Sequence, residues 1–300
     1  MGLFSDLFKK RVVVSRPVAT PVGQNLNYPN TPIVIQTPQA QAPGGGDTQQ
    51  TIYRMLDEIG SLPIGAQLFQ ALTAAGKQIG VRYAGPNQNS AAGGVKGYVK
   101  LRQWHDAQDS KNFAQELGTT LHNLQLATGH DKTWVAQQLH VQHVPTWANQ
   151  EIQPYGNPVH PGSGPLPQGA TQLQIIEDLL DRYLAGKELP SLDELDALLL
   201  LLEDHLTPGA GVVTRIMFDP HKEIVQGKAR PPHCGLFHEL MHALYNAQGR
   251  QLGREDSIQE GNGGRLFEAM AVGLGLFGKR PLSENGFRAA LGVSLRTAYP

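Results

Sequence analysis

The most constraining feature of this chain is a run of five residues, His238-Glu239-Leu240-Met241-His242, set inside an apolar stretch. Leu236, Phe237, Leu240, Met241 and Leu244 recur at helical spacing, so residues 236–248 are expected to form a buried helix that stops at Gly249. Such a helix carries three ionisable side chains into the interior, where each needs a partner. Residues four apart share a helix face, so His238 and His242 can offer both imidazoles to one ion. Glu239 is turned about 100° away from His238. That angle keeps it from chelating beside the imidazoles but lets its carboxylate reach a water on the metal. This is the mechanical content of the HExxH pattern, in which zinc activates water and polarises a carbonyl while the glutamate moves the proton. The competing account is a pair of surface histidines on an ordinary helix, and the apolar neighbours argue against it.

Two histidines do not hold zinc; a catalytic site adds a third protein ligand and leaves the fourth position for water. Downstream candidates are Glu255, Asp256, Glu260, Glu268 and Glu284, and His233 lies upstream. Glu268 is favoured, because the next predicted helix, 265–276, carries it among Phe267, Met270, Ala271 and Val272. An acid in such surroundings usually has a buried partner. An acid on a solvent-facing helix surface is the competing account.

The rest of the chain reads as helices packed around a small sheet. Residues 1–50 are expected to be a disordered leader or linker. The segment from Arg16 is rich in Pro, Gln, Asn, Thr and Gly with almost no charge, and it ends in Gly44-Gly45-Gly46. An unfolded leader also suits export by threading and would be the place for a secretion chaperone. From residue 51 the pattern becomes helical, with a second helix opening at Pro63, a strand at 79–83 and a Gly- and Asn-rich loop at 85–97. Helices are expected near 113–124, 134–139, 173–184 and 192–206, the last starting at Ser191, with a strand at 211–218. Residues 144–169 read as a Pro- and Gly-rich loop.

Composition narrows the function classes. The 300-residue chain has a formal net charge of −1 with scattered basic residues, which gives no electrostatic reason to expect nucleic acid. No apolar run approaches a membrane span, and the start lacks the order of a conventional secretory signal. The single cysteine, Cys234, cannot form an internal disulfide and is expected to be a small core residue. His130, His140, His143 and His160 lack carboxylates at ligand spacing and are expected to be ordinary surface histidines. Prolines around Gly162-Ser163-Gly164 deny that loop the helix start a phosphate site needs.

The C-terminal third resembles a known family. After His238-Glu239-Leu240-Met241-His242-Ala243 come Glu268-Ala269-Met270-Ala271-Val272-Gly273-Leu274, then Ser283-Glu284-Asn285 with Arg288, and Leu291-Gly292 with Arg296 and Tyr299. This order resembles the NleD-like effector metallopeptidases, which bacteria inject into host cells through a type III secretion system; related domains occur in polymorphic toxins. The resemblance covers about 207–300, with an echo over 51–83 around Pro63-Ile64-Gly65. Residues 84–205 look like an insertion or a divergent part of a peptidase domain spanning 51–300.

The resemblance implies a zincin-like α+β fold, His238 and His242 as zinc ligands, Glu239 as catalytic acid/base and Glu268 as third ligand. It also implies a host protein as substrate, and in some members that substrate is a signalling kinase. A Tyr hydroxyl or Arg guanidinium near zinc could stabilise the oxyanion of the tetrahedral intermediate, and Tyr299 is preferred over Arg288 and Arg296. Packing at the chain end is the competing account for Tyr299, and Ser283-Glu284-Asn285 reads equally as a helix N-cap. The expectation is therefore an injected zinc endopeptidase. The alternatives are a toxin used against competing bacteria and an inert binding module that keeps zinc for structure.

Overall fold

Short β-branched runs and small residues build the sheet. In the computed structural model, which describes residues 24–40, 47–141, 143–145, 152–154, 172–221, 224–225, 228–229, 231–253 and 266–297, the strands are β1 (Leu26–Asn27), β2 (Ile33–Ile35), β3 (Ile79–Arg82), β4 (Ser90–Ala92), β5 (His143–Pro145), β6 (Ile152–Pro154), β7 (Thr214–Met217), β8 (Ile224–Val225) and β9 (Lys228–Ala229). The helices are α1 (Thr48–Gly60), α2 (Pro63–Ala75), α3 (Lys100–Asp106), α4 (Ser110–Thr128), α5 (Lys132–Val141), α6 (Gln172–Leu184), α7 (Leu192–Leu201), α8 (Pro232–Gln248), α9 (Leu266–Val272) and α10 (Glu284–Leu291).

Five strands form one mixed sheet in the order β1-β2-β3-β7-β4, and the pairs β5-β6 and β8-β9 stand apart. The centre of the sheet is parallel, with Ile33 opposite Ile79 and Ile79 opposite Thr214. Because side chains alternate across the pleat, Ile33, Ile35, Ile79, Val81 and Ile216 share one face, and each is fully buried. α1 packs on β2 at that sheet, and α8 packs on β7 and β4. This is an α+β arrangement compatible with a zincin-like peptidase.

α8 is the pivot of the fold. It touches α1, α2, α9 and α10 as well as the sheet, and every residue from Cys234 to Ala247 is buried. The expected helix therefore starts four residues early, at Pro232, whose fixed φ suits a first turn. It ends as expected at Gly249, which adopts φ 70°. A Cβ there would lie 2.2 Å from the Gly209 carbonyl oxygen, so only glycine lets the two loops meet.

Several expectations need correction. Residues 24–40 belong to the folded unit: Ile33 and Ile35 sit in an internal strand, so the leader expected over 1–50 does not extend across them. The remaining parts of that leader, 1–23 and 41–46, lie outside the described residues. The loop expected at 85–97 contains β4, which pairs antiparallel with β7 and forms the sheet edge. The strand expected over 211–218, β7, is thus interior, flanked by β3 and β4. The helix expected over 192–206 stops at Leu201 and a 3-10 turn follows; its acids Glu194 and Asp196 are buried, while Asp204 of the turn is exposed. Likewise α9 ends at Val272, short of the expected 276.

The helices α3 to α7 pack largely on one another, α4 and α5 against α6, and α5 against α7. Buried Arg102 joins α3 to α7, with Nε 2.9 Å from Asp106 and Nη1 3.6 Å from Asp196. Ser191 caps α7 in a reciprocal capping box with Glu194. No described helix is long and apolar enough to cross a membrane.

Candidate metal centre

The buried face of α8 brings His238 and His242 together, as their spacing predicts. Their Nε2 atoms lie 3.0 Å apart. α9 packs beside α8 and delivers Glu268, whose Oε2 is 2.9 Å from His238 Nε2 and 3.5 Å from His242 Nε2. All three side chains are buried, and their ligand atoms lie within 4.8 Å of one another. Four-coordinate zinc with arms of about 2.0–2.1 Å separates its ligand atoms by roughly 3.3 Å. The three separations here bracket that edge.

The donor chemistry fits a cation equally well. Glu268 Oε2 is buried without an aligned hydrogen bond, and its nearest neighbours are the two imidazole nitrogens. A buried carboxylate in that position needs positive charge. Without a metal the charge comes from a proton. Burial pulls the His238 pKa down, but Glu268 and Glu284 outweigh it and raise the group to about 9. Burial pushes the Glu268 carboxyl up, yet His238 and His242 hold it well below the usual carboxylate range. The carboxylates that favour a cation at the cluster thus also favour a proton on His238.

Glu239 follows His238 on α8 and is buried, 5% exposed. α8 also packs against the edge strand β4. α8 thus carries the two histidines and packs against a strand at the edge of the sheet among the described residues.

A second carboxylate stands behind His238. Glu284, the first residue of α10, is fully buried with Oε2 3.0 Å from His238 Nδ1. It accepts hydrogen bonds from Arg288 Nε at 2.8 Å and Arg296 Nη1 at 3.2 Å. Local chain geometry puts it there. Gly273 ends α9 with φ 79°, and a Cβ at that position would meet Ser283 Oγ at 2.6 Å. The glycine admits Ser283, whose hydroxyl accepts the Gly286 N–H and caps α10.

The sequence candidates sort clearly. His238, His242 and Glu268 converge, and Glu239 is buried on the same helix as the two histidines. Glu284 is close to the cluster but faces the far nitrogen of His238, and it also begins α10 as the cap reading predicted. His233 lies elsewhere, 3.4 Å from Glu58 and edge-on to Phe287. Arg288 and Arg296 are both engaged with Glu284. Tyr299, Glu255, Asp256 and Glu260 lie outside the described residues. Cys234 is a fully buried core residue, as expected. The partnership of Glu284 with His238 is what the sequence did not disclose. Its only local sign is a fully charged i,i+4 pair, Glu284 and Arg288, flanking the apolar Phe287.

No curated protein and no solved structure gives a significant match to this chain. A family profile of M91 peptidases, described as effector protein, matches residues 39–299 and runs through 84–205. Most of the chain, including β3, β7, the α8 cluster and α10, falls in that span, and the chain accordingly belongs to the M91 peptidase family of NleD-like effector proteins.

Proposed function

We propose that the protein is a zinc-dependent endopeptidase, delivered into a host cell, that cleaves a host protein. The observation carrying this reading is the convergence of His238, His242 and Glu268, with Glu239 on the same buried helix and the edge strand β4 against it. His238, His242 and Glu268 would hold zinc. Zinc bound there supplies Lewis-acid polarisation of the scissile carbonyl and a water of lowered pKa. Glu239 accepts the proton of the attacking water and hands it to the leaving amide nitrogen. The outer edge of β4, which pairs with no further strand among the described residues, can pair with an extended substrate, adding a strand to the sheet and fixing which peptide bond lies near Glu239.

Tyr299 is the proposed donor to the developing oxyanion. Arg296 is anchored beside the cluster, its N–H donating to Asn285 Oδ1 at 2.8 Å and its carbonyl accepting from Asn285 Nδ2 at 2.9 Å.

The test is cleavage in a lysate of eukaryotic cells, with new N-termini mapped by mass spectrometry. The zinc-loaded protein is expected to generate a small set of discrete cuts that disappear with a zinc chelator. Zinc binding without any cut in host or bacterial lysates would instead favour an inert binding module. Cuts confined to bacterial lysate would favour a toxin directed at competitors.

A further inference from the structure

We infer that Glu284 is a positioning residue for the metal centre, fixing the tautomer and ring orientation of His238, and that the strap of residues 294–296 holds it in place. The inference rests on the zinc reading above. A neutral imidazole carries a proton on one nitrogen and a lone pair on the other, and the hydrogen bond at one decides the role of the other. In His238 the two nitrogens face different partners: Nε2 looks at His242 and Glu268, and Nδ1 looks at Glu284 Oε2 at 3.0 Å. A carboxylate at Nδ1 keeps the proton there and leaves the Nε2 lone pair aimed at the cluster. The arrangement is asymmetric: neither Nδ1 makes an aligned hydrogen bond, but among the described residues a carboxylate oxygen faces His238 Nδ1 at 3.0 Å, whereas the ion pair of His242 is made through Nε2. His238 is the imidazole whose direction is set from behind.

Glu284 can do this only while ionised and held still, and it is fully buried. Two guanidiniums provide for that. Arg288, one turn along α10, takes Oε1, while Arg296 takes Oε2, the same oxygen that faces His238. Helix capping and the i,i+4 pair alone would explain Glu284 and Arg288. They do not explain Arg296, which arrives from beyond the helix on a strap with its own fastenings. Asn285 bonds both the N–H and the carbonyl of Arg296, and Arg288 Nη1 donates to the Ser294 carbonyl at 2.9 Å. The last described turn of the chain is thereby tied to the orientation of a metal ligand on α8.

The test compares the full chain with Glu284→Gln and Arg296→Gln. Zinc affinity is read by competition with a chromophoric chelator, ligand geometry by the visible spectrum after cobalt substitution, and folding by circular dichroism. Glu284→Gln keeps the shape but removes the charge, and outer-shell changes of this kind weaken metal binding about 10–100-fold. A loss in that range at unchanged one-to-one stoichiometry, with an altered cobalt spectrum, is expected. Arg296→Gln should act in the same direction by a smaller factor. A folded Glu284→Gln protein with parental affinity and spectrum would overturn the inference. If Glu284→Gln fails to fold, a folded Arg296→Gln protein with unchanged affinity and spectrum would overturn it as well. A parent chain that takes up no zinc would overturn the centre itself, and the inference with it.

Discussion

A proton on His238 would make metal binding at the cluster strongly pH-dependent, with a predictable sign. His238 has a folded pKa near 9, against an ordinary value of 6.5, because Glu268 and Glu284 outweigh its burial. Zinc needs the Nε2 lone pair, so binding below that pKa must expel one proton. The affinity should then climb about tenfold per pH unit and level off near pH 9. Between about pH 6.5 and about pH 8.5 this amounts to roughly 70-fold. Competition with a chromophoric chelator across that range measures the rise. Calorimetry in two buffers of different ionisation enthalpy counts the proton. The stability of the zinc-free chain should show the same group from the other side. A raised folded pKa stabilises fully below the unfolded value of 6.5, and the contribution disappears as pH climbs through about 9. Glu268, with its pKa depressed, has the opposite sign, contributing above its ordinary 4.5 and losing that contribution as pH falls. The zinc-free protein should therefore lose melting temperature from neutrality toward pH 9, and the zinc-loaded protein much less. A flat affinity profile with no proton released would refute the reasoning, since His238 would then be neutral before the metal arrives.

Further expectations concern the frame around the centre. Ile33→Ala, in the strand that sequence patterning missed, should cost about 2–5 kcal/mol in denaturant unfolding because Ile33 is fully buried in the parallel sheet; a cost below about 1 kcal/mol would remove β2 from the core. Gly249→Ala forces a side chain into the left-handed region against the Gly209 carbonyl, and should lower stability by at least about 1–3 kcal/mol, read as a drop in melting temperature. Ser191→Ala removes the cap of α7 and should cost about 1 kcal/mol while leaving zinc affinity unchanged. Chelation should lower the melting temperature of the parent, since zinc at a thousandfold excess over its dissociation constant stabilises the native state by about 4 kcal/mol; an identical melting temperature with and without metal would exclude a bound ion at the folded centre.

What could be read from sequence was what depends on neighbours along the chain. The α8 helix announces itself by period and by a terminal glycine, α2 lies between Pro63 and Gly76, and Ser191 with Glu194 is a capping pair three residues apart. The pairing of His238 with His242 is likewise local, set by one helical turn. Strands that exist through distant partners were not legible. Ile33-Val34-Ile35 is only three residues long within Pro- and Gln-rich chain, and it becomes a strand because β3 lies beside it. Ser90-Ala91-Ala92 carries no β signature at all; its extended state comes from the ladder with β7. Glu284 is the same case in side-chain terms. Its sequence context reads as a helix start, and its position behind His238 follows from the close approach of α9 and α10 at Gly273.

The central claim is that one zinc ion on His238, His242 and Glu268 works with Glu239 to hydrolyse a peptide bond. Zinc content and peptidase activity, measured side by side for the parent and Glu239→Gln, test it most directly. One zinc per chain in both proteins is predicted, with cleavage in the variant reduced by at least the 10²–10⁴-fold typical of a lost acid/base. Absence of zinc from both, or full cleavage by Glu239→Gln, would contradict the account.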